Sequence, residues 1–293
     1  MSALLPLAHG DRVAVSELAG AWEAAPAVIA ASVVALALFA QAFARLRRRG
    51  RADHAPWSRA WLFAVAVAVA ALALLSPLDA VGEEYLLSGH MLQHVLIGDV
   101  APALALVALR GPLVFFLLPA AILRALAPVQ PLRTALGALL RPRVALAVWA
   151  VTMAAWHVPQ AYGYTLTHQL AHDLEHATFA VAGTLVWIQI ADPARRRELT
   201  TAGRLVVVAV LFAAGQVLAN VLVFSFSPLY EAYALQDERL LGLSARTDQR
   251  LAGLVMMVEQ VLVLGLAAAV LLRAYDREKA VRRSTTLGLA ADR

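Results

Sequence analysis

Cysteine is absent from the 293-residue chain. This excludes disulfide frameworks, thiolate zinc sites, cysteine nucleophiles and cysteine-based copper carriers together. Charge is scarce as well: Asp, Glu, Lys and Arg make up 15% of the residues against 61% hydrophobic, where a soluble domain carries about a quarter and about half. With a mean hydropathy of +0.70, too few polar residues remain to cover a water-facing surface, so the expected solvent is a bilayer. Internal repeats, a glycine-rich phosphate loop and a nucleophile elbow are also missing. The first 25 residues carry Asp11, Glu17 and Glu23 without a basic start before a short apolar core, a pattern that does not read as a cleaved signal peptide.

What the chain has in abundance is long apolar runs. A transmembrane helix needs about 20 mostly apolar residues to cross a hydrocarbon core of about 30 Å. Runs of that kind lie at 27–44, 60–76, 87–109, 143–158, 169–190, 204–224 and 251–272. The expected fold is an all-α membrane protein, a bundle of seven transmembrane helices forming a single integral membrane domain over 1–293. An eighth stretch, 113–127, is short, bracketed by Pro112 and Pro128, broken by Pro119 and charged at Arg124. It reads as a short helix that lies in the interface or re-enters the membrane.

Seven spans sort the loops into two sets. Residues 45–59, 110–143, 191–204 and 273–293 hold 21 of the 25 lysines and arginines, leaving Arg12, Arg239, Arg246 and Arg250 to the other set. The positive-inside rule then predicts the N-terminus outside and the C-terminus in the cytoplasm, with a multi-pass location in the inner (plasma) membrane of a cell. An eighth crossing would export Arg195, Arg196 and Arg197, so seven is preferred. The net charge of +5 is explained by topology, and no nucleic-acid partner is expected.

On this orientation six of the eight histidines fall at the outer side of the bilayer. His90 and His94 open the third span, His157 closes the fourth, and His168, His172 and His176 open the fifth; His54 is cytoplasmic and His9 lies in the N-terminal segment. A separation of four residues places side chains one turn apart on a common face. Intramembrane histidines are costly unless they face protein, water or a ligand, and single hydrogen bonds to neighbouring helices have no reason to cluster six of them at one depth. Met91 and Met153 lie in the same outer halves and add soft thioether donors suited to Cu(I), although methionine also fills apolar gaps. Asp173 and Glu175 point away from the expected stripe, Glu175 being a partner of the ligands or facing the loop. Asp99 and Glu259, deeper in the spans, are read either as functional acids or as partners of Gln216, Asn220 or Gln260.

These residues form spaced elements: His90-Met91-Leu92-Gln93-His94 followed by Ala101-Pro102, Trp156-His157-Val158-Pro159 leading to Tyr162, His168 to Phe179 with Gly183 and Trp187, and Asp248 to Gly253. Over residues 85–275 they resemble the CtaG-like cytochrome c oxidase assembly proteins. The resemblance implies a seven-span protein, not an enzyme, that binds copper at a His-rich outer site and supports its insertion into a haem-copper oxidase. Expected partners are an oxidase subunit, a periplasmic copper carrier and the lipid bilayer. It carries over His90, His94, His157, His168, His172, His176 and Asp248 as metal-site residues, beside Met91 and Met153. The sequence departs from the pattern at Met256-Met257, where an aromatic residue is expected. Protonated imidazole cannot ligate, so affinity should fall below a pH of about 6.5. The alternatives are a metal-free membrane chaperone for oxidase assembly, an intramembrane zinc hydrolase using three histidines and Asp248, and haem ligation by histidines of two spans.

Overall fold

The computed structural model describes residues 13–236 and 238–291, and side chains as far as residue 284. His9, Asp11 and Arg12 lie outside the described residues, as does Arg293, so the expectation drawn from the first 25 residues falls partly outside them. Among the described residues the regular structure is entirely helical. In chain order the α-helices are α1 Pro26–Arg48, α2 Trp57–Leu75, α3 Leu78–Glu84, α4 Leu87–Val95, α5 Ala101–Ala108, α6 Pro112–Phe116, α7 Ala120–Leu126, α8 Gln130–Leu139, α9 Pro142–Trp156, α10 Pro159–Thr165, α11 Gln169–Ala191, α12 Thr201–Phe224, α13 Glu231–Ala234 and α14 Ala245–Ala291.

Proline sets several of these starts. Pro26, Pro112, Pro142 and Pro159 sit in the first turns of α1, α6, α9 and α10, where a missing N–H costs no intrahelical bond and the fixed φ suits a helix. Inside the third span the same residue type has the opposite effect. Pro102 cannot donate to the carbonyl four residues back, and the turn Leu96–Val100 immediately before it is π-helical, linking α4 to α5 without a break.

Among the described residues six helices are long and apolar enough to cross a membrane, and α8 with α9, bent 75° to one another, make a seventh if the pair is one span. The fourth span expected at 143–158 corresponds to α9, which passes the length test only together with α8. α9 has 15 residues, about 22 Å at 1.5 Å per residue, short of the bilayer core on its own because Pro142 begins a new helix at an angle to α8. The stretch 113–127 is two short helices, α6 and α7, instead of one, with Pro119 capping the second. The segment after residue 272, expected as a loop, continues α14 to Ala291.

Exposure separates the helices by role. The most apolar window of α11 is 61% buried and that of α1 only 17%, so α11 is the central helix and α1 a peripheral one. Large apolar side chains such as Trp61, Val217 and Leu266 are exposed; in water such surfaces drive association, whereas lipid chains solvate them. One core joins α5, α11, α12 and α14 through Leu106, Trp187, Val208 and Leu264. The basic segments meet at one end of the bundle: Arg59 donates to the Arg110 carbonyl, Gly111 N–H to the Pro193 carbonyl at 2.8 Å and Arg196 to the Leu140 carbonyl at 3.3 Å. The histidine-bearing ends of α4 and α11 lie at the opposite end.

α11 and the third span approach backbone to backbone at the π turn. A Cβ on Gly183 would overlap the carbonyl oxygen of Gly98. Gly183→Ala is therefore expected to push the two spans apart and destabilise the purified protein by about 1–3 kcal/mol, the usual range for overpacking, read as a lower midpoint of thermal unfolding in detergent.

Candidate metal centre

The site begins with α3, a short helix in a stretch the apolar pattern leaves unassigned. α3 folds back on α4 through Gly82, whose added Cβ would stand 2.9 Å from the His90 nitrogen; only a residue without a side chain admits that contact. The close approach brings Asp79 and Glu83 of α3 against the start of the third span. Gln93 locks the pair, donating to Asp79 and to the Ala73 carbonyl at 2.9 Å.

α4 opens after Leu86, an apolar residue in extended conformation that makes no side-chain cap. Its first amides are instead taken up from 160 residues away. Asp248 in the first turn of α14, almost fully buried, accepts from Leu87 N–H at 2.7 Å, Ser88 N–H at 3.1 Å and Ser88 Oγ at 2.5 Å. A carboxylate at a helix N-terminus satisfies otherwise orphan donors and complements the helix dipole. Asp248, expected among the metal-site residues, thus stands as the cap of the helix that carries His90 and His94, with both oxygens committed to that end. The hydrolase reading, which required it as a zinc ligand, loses that support.

Four of the six histidines expected at the outer side converge. His90 and His94 of α4 lie with ring centroids 4.3 Å apart, His172 and His176 of α11 4.2 Å apart. Across the helices His90 is 5.7 Å from both His172 and His176, and His94 is 5.3 Å from His176. Glu175 completes the group. Its carboxylate is fully buried, 3.8 Å from His90 Nε2 and 3.7 Å from His94 Nε2, and His172 Nε2 meets Glu83 Oε1 at 2.7 Å. Two sets of donor atoms, from His90, His172 and His176 and from His90, His94 and Glu175, each lie within 4.8 Å of one another.

The nitrogens of His90 and His94 and both oxygens of Glu175 are buried without a hydrogen bond. Buried polar atoms left this way are costly, and a cation removes the cost. Metal–nitrogen bonds of about 2.0–2.1 Å put tetrahedral ligands about 3.4 Å apart, a contraction the two donor sets, each within 4.8 Å, would make on binding. Phenols roof the cluster: Tyr162 lies 5.0 Å from His90 and donates to Tyr233 Oη at 2.8 Å, which donates to the Gly82 carbonyl at 2.6 Å. Burial raises the pKa of both Tyr162 and Tyr233 well above the usual phenol value, so at neutral pH they stay protonated and act as hydrogen-bond donors.

The remaining expected residues fall elsewhere. His168 is the N-cap of α11 in extended conformation, exposed and stacked on Tyr164 with centroids 3.8 Å apart. A spacing of four places side chains together only inside a helix, and His168 precedes the first helical residue. His54 faces Asp53 at 3.2 Å, remote from the cluster. His157, Met91 and Met153 border an adjoining chamber of about 40 Å³ together with His94. Asp99 accepts from Trp187 Nε1 and bonds Glu259, so the two deep acids pair with each other, while Gln216 donates to Gln260 at 3.1 Å and Asn220 to the Gln216 carbonyl at 2.6 Å. Glu83 is the residue that reading by i and i+4 missed, and Glu175, expected to point away from the stripe as a partner of the ligands or toward the loop, lies inside the cluster. For Glu175 a signal existed: it follows His172 by three residues and precedes Phe179 by four, while His176 follows His172 by four, so all four share one stripe of α11. A groove of about 1030 Å³ between α1, α2, α5 and α11 reaches His172 and His176 from the side.

No curated protein and no solved structure matches the chain. A family model described as cytochrome c oxidase caa3 assembly factor matches residues 18–277, a stretch that runs from before the first span into α14 and includes every histidine of the cluster. With most of its length matched, the chain belongs to the caa3-type cytochrome c oxidase assembly factor family.

Proposed function

We propose that this assembly factor carries copper as cargo, held by His90, His94, His172, His176 and Glu175, and passes it to a haem-copper oxidase subunit within the bacterial cytoplasmic membrane. The observation that carries the reading is the cluster itself: imidazoles from two helices and a carboxylate, buried together, with the donor atoms of His90, His94 and Glu175 making no hydrogen bond. Structural histidines would be expected to find partners one by one. Imidazole and carboxylate accept copper and zinc alike, and the copper assignment draws on membership of an oxidase assembly family.

On the expected orientation the cluster opens to the outer side, where a periplasmic carrier delivers the metal, and the lateral groove beside His172 and His176 leads toward a partner in the bilayer. The chain's role is binding and transfer, with no bond of a substrate broken. Ligand exchange needs more donors than the ion uses at once, and the cluster's four imidazoles and two carboxylates, Glu83 included, meet that need. Element analysis of detergent-purified protein tests this. The His172→Ala/His176→Ala variant is expected to hold one metal ion fewer per chain than the wild type, and copper should be the ion retained after growth with both metals. Equal metal content would refute the site. Full oxidase activity restored by that variant in cells lacking the wild-type chain would favour the metal-free chaperone.

A further inference from the structure

We propose that the chamber next to the histidine–glutamate cluster is a second metal site, built from thioethers, that takes Cu(I) and excludes Zn(II). The proposal rests on the reading that this protein handles copper, and adds a separate place for the ion. Met91, Met153 and Met256, from α4, α9 and α14, border the chamber with His94, His157 and Glu259.

Methionine ordinarily fills gaps in apolar packing, but here three of them surround a space that is left open. Its volume of about 40 Å³ exceeds the roughly 10–15 Å³ that a cavity needs on the same measure to admit one water. His157 is set as a ligand. Its Nδ1 donates to the Met153 carbonyl at 2.9 Å, which leaves the lone pair on Nε2, and Nε2 is buried without a hydrogen-bond partner. Fixing one ring nitrogen on a carbonyl and presenting the other is the usual arrangement of a metal-binding histidine.

Three thioethers and a neutral imidazole bring no charge, and a lone cation in a membrane interior is costly. Glu259 supplies the balance. One of its oxygens is buried without a hydrogen bond and the residue lines the chamber, while the carboxyl bonds Asp99, which Trp187 holds. Two carboxyls bond each other only when one carries a proton, so the pair holds a single negative charge, equal and opposite to that of one Cu(I). Zn(II) would be left with an unbalanced charge and soft donors it does not favour. His94 belongs to the cluster and to the chamber at once, which makes it the residue across which an ion moves between them.

The test uses the full-length protein purified in detergent without thiols, saturated with Zn(II) and then titrated with Cu(I) against a chromogenic chelator. Copper K-edge absorption should show a sulfur shell, which in a chain without cysteine comes from methionine alone. Met91→Leu/Met153→Leu/Met256→Leu, close to volume-conserving, is expected to lose that shell and one Cu(I) per chain while keeping its zinc. His157→Gln should weaken Cu(I) at least tenfold. A wild type with no sulfur shell, or a triple variant that binds Cu(I) as the wild type does, overturns the proposal and leaves the cluster untouched. Conversely, the His172→Ala/His176→Ala variant should keep sulfur-bound copper and lose zinc; zinc retained there counts against the cluster and leaves the chamber standing.

Discussion

His90→Ala combined with His94→Ala should weaken metal binding by at least about 100-fold, equivalent to about 2.8 kcal/mol at 1.4 kcal/mol per tenfold. Both rings are buried within the cluster, and His90 belongs to both sets of converging donors. Glu175→Gln preserves the shape of the third donor and removes its charge, so an intermediate loss of about tenfold is expected. His168→Ala serves as the control. Exposed on Tyr164 at the start of α11, it should leave affinity unchanged although it is spaced like a ligand. Equilibrium competition against a chelator of known affinity measures all three. A His90/His94 variant with wild-type affinity, or a His168 variant as weak as the double one, would contradict the assignment of donors drawn from the geometry.

Asp248→Ala should behave differently from any ligand variant. The substitution strips the acceptor from the buried Leu87 amide and from the half-buried Ser88 amide and hydroxyl, and the first turn of α4 then begins at Leu86 with no cap of its own. Loss of an N-terminal cap costs about 0.5–2 kcal/mol, and buried donors left unpaired push the cost to the upper end. A fall in unfolding midpoint corresponding to about 2 kcal/mol is expected, with metal stoichiometry intact and affinity lowered about tenfold as His90 and His94 lose their fixed position. Asp248→Asn, which keeps an acceptor oxygen, should recover most of the stability. Loss of one metal ion per chain without loss of stability would instead make Asp248 a ligand.

These two results bear on how a membrane helix that begins in apolar sequence can be started at a defined residue. Ser88-Gly89-His90 contains no local capping box, and Leu86 cannot supply one. The cap is donated by α14, so the register of His90 and His94 depends on contact between the third and last spans. Distance along the chain hides such a cap. The resemblance places Asp248 in the metal set together with the histidine motifs, and its geometry ties it to the helix that bears His90 and His94.

The sequence by itself determined that this is a helical membrane protein, because apolar runs of bilayer length and scarce charge admit little else. It determined the pairing of His90 with His94 and of His172 with His176, because a helix returns to the same face after four residues. With the spaced motifs it also pointed to the oxidase assembly family. Only the tertiary structure decided which histidines meet. His168 has the right spacing but stands before the helix begins, and side-chain direction there follows a non-helical backbone. Only the tertiary structure brought in Glu83, through the close approach of α3 to α4 at Gly82, and set Glu175, expected to point away from the stripe, against His90 and His94. The bend between α8 and α9, the pairing of Asp99 with Glu259 and the chamber among three methionines likewise depend on which helix packs against which. Periodicity reports which side chains share a face of one helix; whether two faces meet is settled by packing between segments far apart in the chain.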